Sequence, residues 1–142
     1  GTPIRYGYVG KSYPLESYQT LFADRPGSAE MPSAARPFTE KVLRCLRDKG
    51  VALASLTLHT GVSSLEVETE NVAEQTLYPE PFEVPAETAE AVEKAKAGGT
   101  RVVAVGTTVV RALESAWSGG ALRPAKGFTR LYLHPGRAVN VV

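Results

Sequence analysis

Two short polar turns in this sequence carry side chains that could do chemistry. His59-Thr60-Gly61 follows the apolar run from Val51 to Leu58, and Gly106-Thr107-Thr108 follows the shorter apolar run RVVAV. An imidazole titrates near neutral pH and can act as a general base. A glycine-threonine turn that opens a helix presents free N–H groups and the positive end of the helix dipole, which together suit an anion.

Each of these features also has a plainer interpretation. A lone histidine is more often a hydrogen-bonded structural residue than a catalyst. A threonine turn serves as an ordinary helix N-cap, and no lysine follows Gly106 as it would in a Walker loop. Arg111 and Glu114 lie three residues apart and can pair on a helix surface. The residues alone therefore favour structural roles and leave the catalytic ones open.

Basic residues gather on and just before the first predicted helix, at Arg36, Lys41, Arg44 and Arg47. Such a cluster can bind phosphates, although a charged helix face is more often simply solvated. The formal net charge of +1 neither requires nor excludes a nucleic-acid partner. The residues thus predict a candidate phosphate-binding surface.

Three helices are predicted to position these residues. Thr39 caps a helix that runs to about Lys49, with Gly50 at the C′ position. The stretch PAETAEAVEKAKAGG predicts a second helix, stopped by its glycines. A third helix opens at the Gly106 turn, with a buried side made of Val109, Val110, Leu113 and Trp117.

Strands are predicted at TPIRYGYV, Val51 to Leu58, RVVAVG, FTRLYLHPG and AVNVV. Residues 71–84 are predicted to form a loop, because Pro79 and Pro81 interrupt them. The proline-rich stretch 22–39 cannot form a continuous helix, and a long irregular stretch of this kind inside a domain is often functional.

The order of helices and strands predicts an α/β fold with a mixed, partly parallel sheet and flanking helices. If the strands ending at Leu58 and Val105 run parallel, both polar turns lie on one rim of the sheet, where ligands bind in such folds. Alternation places His59 on the side opposite Leu56 and Leu58, which predicts that it faces a polar cleft.

Length and composition bound these predictions. The 142 residues fit one domain with a real core. Cys45 is the single cysteine, which excludes an internal disulfide and fits a reducing compartment. No apolar run approaches the ~20 residues that span a bilayer. The chain starts at Gly1 and ends without a polar tail, so we expect a fragment of a larger protein.

Several longer stretches resemble the S-adenosylmethionine:tRNA ribosyltransferase-isomerase family of queuosine synthesis (QueA). VVAVGTTVVRALESA followed by FTRLYLHPG carries the resemblance most specifically. It extends to YQTLFADRPGSAEMPSAARPFT, LRDKGVALASLTLHTGVSS and FEVPAETAEAVEKAKAGG. The resemblance thus covers nearly the whole chain in order.

The resemblance implies a function and a domain organisation. Members transfer the ribosyl part of S-adenosylmethionine to a 7-aminomethyl-7-deazaguanine base in the tRNA anticodon and isomerise the sugar, giving epoxyqueuosine. It implies S-adenosylmethionine as co-substrate, tRNA as partner, no metal, no membrane and a cytoplasmic location, and it leaves the oligomeric state open. Residues 1–142 would form a single α/β domain, the core of a two-domain protein without its inserted β-barrel domain.

The resemblance also implies roles for particular residues. His59 is the candidate catalytic residue. The candidate substrate-binding residues are Arg36, Phe38, Thr60, Gly61, Gly106, Thr107, Thr108 and Arg111.

The chain departs from the family pattern at three histidines. Pro37 stands where members usually have the histidine of Gly-Leu-His-Phe-Thr, and Gln75-Thr76-Leu77-Tyr78 stands where they have His-x-Met-His. His59 is the histidine that remains of this set. Members usually read His-Val-Gly-x-Gly-Thr-Phe where this chain has His59-Thr60-Gly61-Val62-Ser63-Ser64-Leu65. Two alternatives follow: a non-catalytic tRNA-binding paralogue, and a nucleoside-binding protein that does not use tRNA.

Overall fold

The computed structural model describes residues 7–61, 70–71, 74 and 77–142. Its helices are α1 (Glu40–Asp48), α2 (Ala86–Ala97) and α3 (Thr107–Ala116), with short 3₁₀ turns at Leu15–Tyr18 and Ser33–Ala35. Its strands are β1 (Thr57–Leu58), β2 (Glu80–Val84), β3 (Trp117–Ser118), β4 (Ala121–Leu122) and β5 (Ala125–Thr129). The predicted α/β class with flanking helices is confirmed.

The helices begin and end where their capping residues predict. The Thr39 hydroxyl accepts the Val42 N–H at 3.3 Å, which satisfies a free donor at the start of α1. Gly50 takes a φ of +76°, and the Val51 N–H then reaches the Leu46 carbonyl at 3.0 Å. This is a Schellman ending, which needs a left-handed residue and therefore favours glycine. Local chemistry sets these boundaries.

The main sheet has the order β1-β2-β5, and both of its pairings are antiparallel. Strands β3 and β4 form a separate antiparallel hairpin. The prediction of partly parallel pairing is therefore wrong for the described strands. It assumed that the strands ending at Leu58 and Val105 run parallel in one sheet, whereas β1 and β5 both pair antiparallel with β2, a segment predicted to be a loop.

Pro81 lies inside this central strand without breaking it. The N–H and C=O of a strand residue point to the same edge. The Pro81 carbonyl accepts the His59 N–H at 2.9 Å, so the missing N–H of Pro81 falls on the β1 side. The hydrogen bonds between β2 and β5 therefore lose no N–H donor, and Pro81 can occupy this strand position.

Several predicted strands form no ladder among the described residues, although they keep an extended alternation. Val102 and Ala104 pack against the core while Val103 is 76% exposed. The carbonyl of Ser55, upstream of β1, accepts a hydrogen bond from the Thr88 hydroxyl rather than from a neighbouring strand. Strand β5 covers only the start of FTRLYLHPG, and AVNVV is irregular. The prediction at TPIRYGYV falls largely outside the described residues, as do Val62 to Leu65, Gln75 and Thr76.

The core lies between α3 and the inner face of the sheet. Ala112, Leu113 and Ala116 of α3 are buried together with Phe82 and Val84 of β2. Leu56 and Leu58 pack against the same cluster, as the alternation predicted, and set the direction of the turn that follows β1. Within the described ranges, no helix is long and apolar enough to cross a membrane.

Candidate functional site

His59 is the residue after β1 and is half-buried. Its N–H is held by the Pro81 carbonyl, and its ring lies against the backbone of Gly27. Gly27 has a φ of +134°, and a Cβ at this position would lie 3.1 Å from both Cε1 and Nδ1 of the imidazole. The absence of a side chain at Gly27 therefore lets the proline-rich segment lie directly on the ring.

Thr60 is hydrogen-bonded to the same segment. The hydroxyls of Ser28 and Thr60 are 2.7 Å apart, and the Thr60 N–H donates to the Ser28 hydroxyl at 3.1 Å. The Ala29 N–H donates to the Thr60 carbonyl at 2.9 Å. These contacts fix the turn after β1 from one side.

The second polar turn, Gly106-Thr107-Thr108, lies close to Ala34 of the same proline-rich segment. Gly106 is the N-cap of α3 with a φ of +113°, a conformation that favours glycine. The Ala34 Cβ lies 3.6 Å from where a Gly106 Cβ would be. Thr107 is exposed and Thr108 is half-buried. Residues 27 and 28 thus contact the His59 turn and Ala34 lies close to Gly106, so both predicted turns lie along the proline-rich segment without the parallel strands that were predicted to join them.

Arg111 projects from α3 and forms an ion pair with Glu80 at the start of β2. Arg111 Nη1 donates to Glu80 Oε2 at 2.6 Å, and each side chain is only 14% exposed. The surface pair between Arg111 and Glu114 that their spacing allows is not the one that the structure describes. Glu114 instead accepts the backbone N–H groups of Asn140 and Val141 at 2.8 and 2.7 Å. The two side chains are separated because Arg111 pairs with Glu80 on the sheet and Glu114 binds the backbone of residues 140–141.

The other nitrogens of Arg111 are in different situations. Its Nε donates to the Leu131 carbonyl at 3.0 Å, and the Leu131 N–H in turn donates to the Thr129 hydroxyl at 3.0 Å. Its Nη2 is buried and has no hydrogen-bond partner among the described residues. A buried N–H group without a partner is costly, so this nitrogen is the donor that a bound molecule could satisfy.

The remaining predicted binding residues lie on the proline-rich segment and α1. Arg36 is exposed and donates to the Ser17 carbonyl at 3.3 Å, and Phe38 is half-buried. Lys41, Arg44 and Arg47 are all exposed on α1. The described contacts do not join Arg36 or Phe38 to the His59 turn, and the binding roles of these two residues, like those of the other predicted site residues, remain predictions.

An ion cluster flanks the site on the outer face of the sheet. Glu83 Oε2 lies 3.0 Å from Arg25 Nη1 and 3.3 Å from Lys126 Nζ. The hydrogen bond and charge of Lys126, aided by Arg25, hold the pKa of Glu83 below its ordinary value. This cluster anchors the start of the proline-rich segment to β2.

The sequence analysis did not predict that Gly27, Ser28 and Glu80 would contact the candidate site residues. For Glu80 a signal was present, because Glu80, Phe82 and Val84 alternate and share the inward face of one strand. A carboxylate on a buried face needs a partner. The loop assignment, based on Pro79 and Pro81, hid that alternation. For Gly27 and Ser28 the sequence carries no local signal, because their contacts are with residues more than 30 positions away.

The described part of the chain gathers no group of three or more His, Cys, Asp or Glu side chains that could hold a metal ion. The expectation of a reaction without metal remains a prediction. The groups of the two turns that could face a ligand are the His59 ring, the N–H groups at the start of α3, and Arg111, since the N–H groups of His59, Thr60 and Gly61 are already donated within the protein.

The fold is mixed α/β, and its two polar turns carry the motifs of a family of queuosine biosynthesis. The family model described as "Queuosine biosynthesis protein" matches residues 1–142, and the chain belongs to that family. The resemblance noted in the sequence is therefore confirmed.

Relatives in this family have been named as enzymes. An S-adenosylmethionine:tRNA ribosyltransferase-isomerase of Carboxydothermus hydrogenoformans is 48% identical over 89% of this chain and 38% of its own length. Proteins of the same name from Thermus thermophilus and Deinococcus radiodurans are each 46% identical, over 95% and 89% of this chain. The chain spans 39% and 35% of the length of these two relatives.

Proposed function

We propose that this chain is the S-adenosylmethionine-binding and tRNA-binding core of a ribosyltransferase-isomerase of queuosine biosynthesis. In this proposal, the ribosyl group of S-adenosylmethionine passes to a 7-aminomethyl-7-deazaguanine base in the anticodon region of tRNA and is isomerised there. A cytoplasmic location is part of the proposal, and the exposed free thiol of Cys45 fits a reducing compartment.

The observation that supports this proposal most is the meeting of both polar turns with one proline-rich segment. Gly27 and Ser28 contact the His59 turn, and Ala34 lies close to Gly106 at the start of α3. The same regions carry the motifs that the chain shares with the family. A site edged by an imidazole and by helix N–H groups would suit a nucleoside with a charged tail.

Each group has a chemical task in the proposed reaction. His59 acts as the base that removes a ribose proton, or orients the ribose, because an imidazole can accept a proton near neutral pH. The N–H groups of Thr107 and Thr108 at the start of α3 receive a carboxylate or a polar edge of S-adenosylmethionine. Arg111 donates through Nη2, the nitrogen without a partner in the described structure.

The tRNA is proposed to bind along the exposed basic residues of α1 and the loop before it. Arg36, Lys41, Arg44 and Arg47 are exposed and can reach phosphates. Phosphate contacts carry no sequence information, so this surface would hold any tRNA while the proposed site at the two turns selects the modified base.

The test uses a chimaera in which this chain replaces the matching segment of the Thermus thermophilus relative. Release of adenine from labelled S-adenosylmethionine is followed with tRNA that carries the aminomethyl base. We expect His59→Ala to lower turnover about 100-fold, the scale of losing an acid–base group. The control is His134→Ala, which removes the other histidine, whose ring stacks on Tyr132 at 5.7 Å.

The outcomes separate the candidate functions. Turnover in the parent chimaera that falls only with His59→Ala supports the proposal. Binding of tRNA without turnover would instead support a non-catalytic paralogue, in keeping with Pro37 and the other lost histidines. Binding of S-adenosylmethionine to this chain without binding of tRNA would favour a nucleoside-binding protein.

A further inference from the structure

Glu80 joins two parts of the fold that carry candidate site residues, the His59 turn and α3, to strand β2. Its Oε1 accepts the Gly61 N–H at 2.9 Å, and its Oε2 accepts from Arg111 Nη1 at 2.6 Å. Gly61 ends the His59 turn, Arg111 lies on α3, and Glu80 itself opens β2. One carboxylate therefore sets the spacing between the turn and the helix.

We propose that Glu80 is a positioning residue that holds the His59 turn and the Arg111 guanidinium in fixed relation. This inference rests on the proposed function for its catalytic meaning. Glu80 is poorly placed to accept a proton from a substrate, because both of its oxygens are already engaged by donors in the described structure. Its role follows from what it holds.

The contacts around Glu80 form a continuous path. The neighbouring Pro81 carbonyl holds the His59 N–H at 2.9 Å, so two successive residues of β2 fix two residues of the turn. On the far side, Arg111 is also tied to the Leu131 carbonyl, which follows β5. A displacement of Glu80 would therefore move the His59 turn relative to α3, and not the ring of His59 alone.

Neither glutamine nor aspartate can replace Glu80 as the acceptor for both the Gly61 N–H and Arg111. A glutamine has one carbonyl oxygen, so it can accept from Gly61 or from Arg111 but not from both through separate oxygens. Its amide NH₂ would then face the other donor. An aspartate is shorter by one methylene and cannot span the same two partners without backbone movement. Both variants should keep the strand while loosening the turn.

The first measurement is made on this chain and needs no activity. Amide hydrogen exchange and NMR follow the Gly61 N–H, and the nuclear Overhauser contact between Gly27 and the His59 ring is recorded in parallel. In Glu80→Gln we expect Gly61 exchange to speed up about tenfold, because a hydrogen bond to a charged acceptor is lost or weakened. The contact between Gly27 and His59 should weaken as well.

The matched control is Glu114→Gln. Glu114 is a second carboxylate that accepts backbone N–H groups, from Asn140 and Val141, and none of its hydrogen bonds among the described residues involves the His59 turn. The Glu114→Gln variant should leave Gly61 exchange within about twofold of the parent, since the hydrogen bonds of Glu114 go to residues 140 and 141. A Glu80→Gln variant whose Gly61 exchange equals that of Glu114→Gln would overturn the inference.

The second measurement is turnover in the chimaera described above. A positioning role predicts that Glu80→Gln lowers kcat about tenfold or more and changes KM for tRNA by less than about twofold, because misplaced groups cost rate more than binding. An unchanged kcat with a loosened turn would overturn the catalytic meaning of the position. An inactive parent chimaera would instead count against the proposed function, and the exchange result would still decide whether Glu80 holds the turn.

Discussion

Replacing Gly27 by alanine would place a methyl group against the ring of His59. The new Cβ would lie 3.1 Å from Cε1 and Nδ1 of the imidazole. Carbon atoms in contact prefer a separation of about 3.5–4.0 Å, so the ring or the segment must move by roughly 0.4 Å. The φ of +134° at Gly27 adds a backbone strain that only glycine avoids.

These two effects have different magnitudes and different readouts. The strain should lower the free energy of unfolding by about 1–3 kcal/mol, the usual cost of a non-glycine residue in such a conformation. A misplacement of ~1 Å can cost about 100-fold in rate, so a shift of roughly 0.4 Å should lower turnover about 5- to 10-fold. Urea unfolding measures the first effect, and turnover in the chimaera together with the His59 ring resonances measures the second.

Gly120→Ala separates strain from contact. Gly120 also has a positive φ, at +81°, but a Cβ there would meet nothing within 4 Å. We expect it to lose stability while keeping turnover and the His59 resonances. Equal losses of turnover in the two variants, or unchanged His59 resonances in Gly27→Ala, would refute the inferred contact between Gly27 and the ring.

Three further predictions concern charge. Arg111→Met leaves the carboxylate of Glu80 without its ion-pair partner and should cost about 3–5 kcal/mol in urea unfolding; the exposed pair partner Arg25 is the control, and Arg25→Met should cost about 0–1 kcal/mol. An equal loss in the two variants would contradict the difference in burial. The pKa of Glu83 is lowered by Lys126, so its charged form stabilises the fold above the pKa of an unfolded glutamate, and that contribution is lost as the pH falls through the lowered folded value. Glu83→Gln should therefore flatten the acid side of the melting-temperature profile, and a profile identical to the parent's would count against it. Reversing Lys41, Arg44 and Arg47 to glutamate should weaken binding of every tRNA tested and reduce the salt dependence by about one unit of log–log slope per lost contact; binding that ignores salt would indicate a solvated face.

The segments whose structure depends on near neighbours were predictable from the sequence. Helix α1 begins after Thr39 and ends at the Gly50 turn because capping bonds span only a few residues. The start of α3 at the Gly106 turn follows for the same reason. The alternation that sends Leu56 and Leu58 to the core was also local. Family membership was equally readable, because shared motifs extend along nearly the whole chain.

What the tertiary structure decided is which distant segments meet. Glu80 to Val84 became the central strand because β1 and β5 pair with it, although two prolines argued for a loop. Arg111 forms its ion pair with Glu80, 31 positions away, rather than with Glu114 on its own helix. Gly27 and Ser28 reached the His59 turn across more than 30 residues. A preference of one residue for its near neighbours is encoded locally, but a contact at such separation depends on loop closure and on burial shared by the whole core, so only the folded chain specifies it.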